Sequence, residues 1–114
     1  MHELGVVFHI ADSVVRVAEE NDAKHVHSVT LELGEVSTVL PDYLIDVWKW
    51  HCKRVPLLDG CELLVERIKA ITYCDSCGQT YETVPQGKIC PHCGSDKTWL
   101  QTGNEVNIKD ITIE

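Results

Sequence analysis

Between Leu4 and Glu20 the apolar residues Leu4, Val7, Phe8, Ala11, Val14, Val15 and Ala18 return every three or four positions. That spacing predicts one face of an amphipathic helix, closed by Glu19, Glu20 and Asn21. From His25 to Leu33 the period falls to two, with Val29, Leu31 and Leu33 alternating against Thr30 and Glu32, so a half-exposed strand is expected, ending at Gly34. Helical spacing resumes with Leu44, Val47, Trp48 and His51. Pro41 and Asp42 suit the first turn of this second helix, and Pro56 forbids its continuation after about four turns. Asp59-Gly60 marks a turn, and Cys61 to Ile71 is β-like through Leu63, Leu64, Val65, Ile68 and Ile71, with its alternation slipping near Glu66. The tail from Glu105 to Ile113 is β-like as well. Val106 and Ile108 lie on one phase and Ile111 and Ile113 on the other, so a bulge or a strand covered on both faces is expected near Lys109-Asp110.

The order helix, strand, helix, strand, loop, strand predicts an α+β fold: a small three-stranded mixed sheet carrying two helices. Its central strand-helix-strand unit is long enough for a right-handed parallel crossover. Composition changes at Thr72, after which the chain is polar and turn-rich until Trp99. The expected organisation is therefore a discontinuous helix-sheet domain, 1–72 with 100–114, and an inserted module, 73–99. No internal repeat is present. A final strand reached through so long a connection can be exchanged between two chains, which leaves monomer and homodimer both open.

The inserted module holds Cys74-Asp75-Ser76-Cys77 and Cys90-Pro91-His92-Cys93. Each pair sets two thiolates on a tight turn, and two such turns facing one another enclose a tetrahedral four-sulfur site of the zinc-ribbon kind that Zn2+ prefers. Gly78 and Gly94 follow the second cysteine of each pair, where positive φ is expected. Four thiolates close the coordination sphere, so this zinc is structural. A thiol-redox pair and an iron–sulfur cluster are the competing readings. Cys52 and Cys61 have no ligand spacing and read as small buried hydrophobes.

With 114 residues, of which about 25 to 30 serve the metal loop, the apolar core must be small, and a metal staple is physically useful. The formal charge is -8. Nucleic acid and anionic membrane surfaces are therefore poor partners, and a cation or a basic protein face is a better one. The start Met1-His2-Glu3 lacks a basic n-region and an apolar h-region, and no run approaches a membrane span, so a cytoplasmic protein with reduced thiols is expected.

With the zinc closed, other chemistry falls to the six histidines. His9, His25, His27 and His51 read as surface or core-edge residues, since none has a partner at a ligand spacing. His92 is held at the metal loop. His2 differs in geometry. The free α-amine of Met1, the deprotonated amide nitrogen of His2 and its imidazole close one five-membered and one six-membered chelate ring about a single metal. This nearly coplanar nitrogen set suits Ni2+ or Cu2+ better than Zn2+, and Glu3 offers a carboxylate oxygen. Because the metal displaces protons from an amine of pKa ~7.7–8.0 and an imidazole of ~6.5, binding weakens as pH falls. A helix beginning at Leu4 anchors this terminus.

Several of these features together resemble the HypA/HybF nickel-insertion proteins of [NiFe]-hydrogenase maturation. They are Met1-His2-Glu3, Leu31-Glu32-Leu33-Gly34-Glu35-Val36-Ser37, Gly60-Cys61, the paired CxxC motifs and Gly103-Asn104-Glu105, in that order along the chain. The resemblance implies a metallochaperone that holds Ni2+ at the N-terminus through His2 and zinc through Cys74, Cys77, Cys90 and Cys93. It would deliver nickel to the hydrogenase large subunit together with the GTPase HypB. Glu3 fits the pattern as a ligand or a HypB contact, and His92 stands as a further candidate toward nickel. Some members also serve urease maturation. Trp48 and Trp50 are outside the pattern and are assigned to packing or a partner surface.

The rival from another class is a zinc-ribbon adaptor that bridges protein or nucleic-acid partners. Ribbons that grip phosphates need basic residues near the metal, but between Thr72 and Trp99 only Lys88 and Lys97 stand against Asp75, Glu82 and Asp96. A thiol–disulfide enzyme would need one CxxC at a helix start rather than two facing pairs. No phosphate-binding glycine loop is present, so an enzyme is not expected.

Overall fold

Helix α1 (Glu3–Glu20) buries Glu3, Val7, Ile10, Ala11, Val14 and Ala18. The stripe differs from the expected one at its edges. Ile10 is inside, whereas Leu4 and Phe8 stand off the axis of the face and remain 44% and 38% exposed. A computed structural model of the chain describes residues 3–114, so the expectations placed on Met1 and His2 fall outside the described residues. After strand β1 (Val26–Gly34), helix α2 (Pro41–Cys52) packs on α1 through Leu44, Trp48 and Cys52. It is a little over three turns long. The chain leaves it through a 3-10 turn at Pro56–Leu58, where proline again supplies the first position.

Strand β2 (Glu62–Ile68) stops short of the Cys61–Ile71 run expected from apolar content. Its alternation breaks at Glu66 and Arg67, both exposed, and the chain turns at Lys69-Ala70 into a separate strand, β3 (Ile71–Cys74). Strands β4 (Thr80–Glu82) and β5 (Thr98–Thr102), with the single helical turn α3 (Thr83–Gln86), complete the cysteine region. Strand β6 (Val106–Ile113) ends the chain, with the slip at Lys109-Asp110 visible as two adjacent exposed residues.

Two three-stranded sheets result, ordered β2-β1-β6 and β4-β3-β5. The first is mixed, as expected. His25 at the start of β1 meets Asp59 ahead of β2 (2.6 Å), while at the far ends of these strands Glu35 N–H donates to Ile68 O (2.8 Å), so the two run parallel. β6 runs against β1, because Glu114 N–H donates to His25 O and Gly34 N–H to Glu105 O. The second sheet is antiparallel, with Tyr73 opposite Thr80 on one side and Trp99 on the other.

The chain separates into two compact units, Met1–Glu32 with Val39–Glu66 and Asn107–Glu114, and Leu33–Thr38 with Arg67–Val106. The first has an apolar core built from α1, α2 and the β1 residues Val26, Val29 and Leu31. The second is wider than the 73–99 module drawn from composition, because β3 and β5 pair beyond the cysteines and the segment 33–38 joins them.

Within that second unit the Leu33-Gly34-Glu35 and Gly103-Asn104-Glu105 motifs prove to be one junction. Gly34 N–H donates to Glu105 O, Val36 N–H to Gly103 O, Ala70 N–H to Glu35 Oε1 (3.0 Å) and Gly103 N–H to Glu105 Oε1 (2.7 Å). The backbones approach so closely that a Cβ on Gly34 would overlap the Gly103 carbonyl. Gly34→Ala must push main chain against main chain, so it should lower the stability of this unit by about 1–3 kcal/mol, whereas the exposed Gly5→Ala should cost nothing. Denaturant melts of the two variants check this.

Candidate metal centre

The turn after β3 and the turn after Ile89 repeat one local geometry. Cys74 O accepts from Gly78 N–H (2.8 Å), and Cys90 O accepts from Gly94 N–H (2.9 Å). Cys74 N–H donates to Gln79 O and Cys90 N–H to Ser95 O, each at 2.9 Å. Both glycines hold positive φ, +73° and +75°, the left-handed conformation expected of them. The two turns are also latched together: Ser76 Oγ and Ser95 Oγ are 2.8 Å apart, and Asp75 N–H donates to Lys97 O (2.9 Å).

This latching brings the Sγ atoms of Cys74, Cys77, Cys90 and Cys93 within 4.8 Å of one another. Cys74 to Cys93 is 3.6 Å and Cys77 to Cys90 is 3.7 Å. Four sulfurs each about 2.3 Å from one ion, arranged tetrahedrally, are about 3.8 Å apart, close to the two short separations, so the cluster closes on Zn2+ with at most small side-chain adjustments. Cys74 and Cys90 are buried, Cys77 half-buried and Cys93 exposed. The Cys74 thiol is drawn down to about 7, chiefly by the Cys77 backbone N–H. Cys77 accepts from the Gln79 N–H, which favours its thiolate, yet burial and the neighbouring thiols push it up to about 12. One thiolate thus forms readily, and the remaining negative charge needs a cation.

Of the other expected residues, Glu3 is 7% exposed, and its Oε2 accepts from Leu40 N–H (3.0 Å) at the start of α2. His92 is exposed, and its N–H faces Cys90 Sγ at 3.4 Å. His51 sits at the core edge with its ring edge-on to Phe8, centroids 4.9 Å apart, and His9 is exposed. Cys52 and Cys61 are free and buried, and burial, with their acidic neighbours, raises them to about 12 and about 11. They are inert core residues. Trp48 is fully buried and donates from Nε1 to Cys61 O (3.1 Å), while Trp50 is half exposed under the Arg54 guanidinium. Spacing alone left His25 and His27 without a third partner. Pairing of β6 with β1 supplies one in Glu114.

Because zinc must displace thiol protons, its affinity should fall steadily as pH drops, and loading at neutral pH should release protons. The sign follows from the raised thiols, which are protonated until the metal binds. Cys74→Ala or Cys93→Ala should lose zinc and disorder the cysteine turns, while the helix-sheet unit keeps a cooperative melt of its own. Metal analysis with circular dichroism melts checks both, and complete unfolding would refute the separation.

Comparison with known proteins agrees with this chemistry. The family described as "Hydrogenase/urease nickel incorporation, metallochaperone, hypA" matches residues 1–113. A hydrogenase maturation factor HypA from Chlorobium phaeobacteroides (strain BS1) is 35% identical over 114 residues, covering 100% of both chains. One from Geobacter metallireducens is 34% identical over 115 residues, again covering 100% of both. The solution structure of the Ni metallochaperone HypA from Helicobacter pylori superposes with a TM-score of 0.74 at 19% identity, covering 99% of this chain and 97% of that one. At that identity it establishes the shared fold alone. With the family description matched from residue 1 to residue 113 and relatives aligned end to end, this chain belongs to the HypA family of hydrogenase and urease nickel-incorporation metallochaperones.

Proposed function

We propose that this chain binds Ni2+ at its N-terminus, through the Met1 amine and the amide and imidazole nitrogens of His2 with Glu3 beside them, and hands it to the large subunit of [NiFe]-hydrogenase. Zinc on Cys74, Cys77, Cys90 and Cys93 has the structural part. The family is one of metal incorporation rather than catalysis, so nucleotide turnover in delivery belongs to a partner, the GTPase HypB, and the setting is the cytoplasm. Among the described residues no helix is long and apolar enough to cross a membrane. The family description covers urease as well as hydrogenase, but the curated relatives are hydrogenase factors, which favours hydrogenase as recipient.

The observation that carries the N-terminal site is the anchoring of Glu3. Helix α1 starts at Glu3, whose buried carboxylate is held by the Leu40 amide, so the residue next to His2 is part of the packed core. A chelate built on such a base loses less conformational entropy on binding than one on a trailing terminus. The same contact gives Glu3 a structural duty, and Glu3→Ala should therefore weaken the fold as well as the nickel site, unlike His2→Ala.

The test is retention of nickel through desalting after Ni2+ loading. The native protein should keep one zinc and one nickel, and the protein with a single residue added before Met1, or with His2→Ala, one zinc alone. Nickel binding by the native chain should weaken as pH falls through ~8 to ~6.5, where the amine and imidazole regain their protons. Equal retention in the extended protein would sink the N-terminal chelate.

A further inference from the structure

His25, immediately before β1, and His27, within it, lie two residues apart, and pairing with β6 sets Glu114, just past that strand, against them. One donor atom from each of the three lies within 4.8 Å of the others. His27 Nε2 is 3.3 Å from Glu114 Oε1, and the two imidazoles meet edge to face with centroids 5.3 Å apart. We propose that His25, His27 and Glu114 form a second metal site, exposed and exchangeable, for a late divalent transition metal such as Ni2+.

Several features carry this reading. Two imidazoles and one carboxylate are a donor set suited to Ni2+, Cu2+ or Zn2+, and three donors leave positions open for water or an incoming ligand. Donors about 2.0–2.2 Å from one ion are about 3–4 Å apart, so the observed separation closes with a small rotation of side chains. The backbone beneath is already set, since Glu114 N–H donates to His25 O (2.9 Å) and Lys24 N–H to Glu114 O (2.8 Å). His25 also has the support that metal-binding imidazoles usually have. Its Nε2 is 2.6 Å from the Asp59 carbonyl, which can only accept, so Nε2 carries the proton and the neutral ring keeps its lone pair on Nδ1. A stabilising ion pair is a weaker explanation of the cluster, because His27 and Glu114 are 52% and 62% exposed and such pairs contribute little. The site lies on strands that exclude Met1 and His2, so it stands independently of the N-terminal chelate.

The test is a calorimetric titration with Ni2+ alone of zinc-loaded protein extended by one residue before Met1, which silences the N-terminal site. One weak equivalent should remain, and His27→Gln or Glu114→Gln should weaken it by about tenfold or more with unchanged thermal melts. In the extended protein without either substitution, substoichiometric Ni2+ should broaden the imidazole resonances of His25 and His27 ahead of His9. An isotherm unchanged by both substitutions, or histidine signals that broaden without preference, would overturn the site. Failure of the N-terminal chelate would show separately, as a tight equivalent that survives the extension.

Discussion

The four sulfurs are the constraint on which the cysteine-bearing unit depends. Its buried cluster consists of Cys74, Tyr81 and Cys90 with Cys77 packed beside them, and the large apolar residues Val84, Ile89 and Trp99 are turned outward. Around the cysteines, burial of one tyrosine and a few thiols supplies little hydrophobic free energy against the entropy of ordering the turns that carry them, and the unit's fully buried Leu33 and Ala70 add only modestly to it. Four thiols in one place are a poor core by themselves. With Zn2+ among them they become the strongest link in the unit, and the two hydrogen-bonded turns, the serine latch and the β3–β5 pairing are the frame that aims them.

The helix-sheet unit solves the same problem by different means. Val7, Val14, Leu31, Leu44 and Trp48 are fully buried, and Trp48 spends its one polar atom on the Cys61 carbonyl. This core needs no metal. It is also what makes Glu3 rigid, since the carboxylate is enclosed where α1 begins and engages the amide at the N-cap of α2. The buried Glu3 carboxylate thus finds a hydrogen-bond donor near the beginning of the chain's first helix.

Much of this was legible in the sequence wherever one local pattern decided the outcome. The periods of α1, β1 and α2, the phase slips at Glu66 and Lys109, the mixed three-stranded sheet, the metal-ligand spacing and the positive φ of Gly78 and Gly94 all follow from short-range rules. What escaped depends on partners distant along the chain. β3, β4 and β5 are too short and polar to announce themselves, and they exist because they pair around the cysteines. The split of the Cys61–Ile71 run occurs because Ala70 gives its N–H to Glu35, thirty-five residues earlier, instead of continuing a ladder. The glycine motifs carried a resemblance without a reason, and the reason is contact between Gly34 and Gly103. Glu114 could not be joined to His25 and His27 until the register of β6 was known.

A chain that holds zinc while handling nickel must keep the two apart, and affinity order alone does not do so, since borderline divalent ions compete for most nitrogen and sulfur sites. Geometry separates them. The cysteine centre is four-sulfur, tetrahedral and closed, which suits an ion with no ligand-field preference and leaves no vacant position through which an incoming ligand can begin to displace it. Nitrogen-rich sets with open positions, such as two imidazoles and a carboxylate on exposed strands, invite the opposite behaviour: binding is weaker, and a receiving ligand can enter before the leaving ones have let go. Retention and release then follow from coordination number as well as from affinity. On this argument the closed thiolate cluster is the reason that the chain can carry one ion for good and still surrender another.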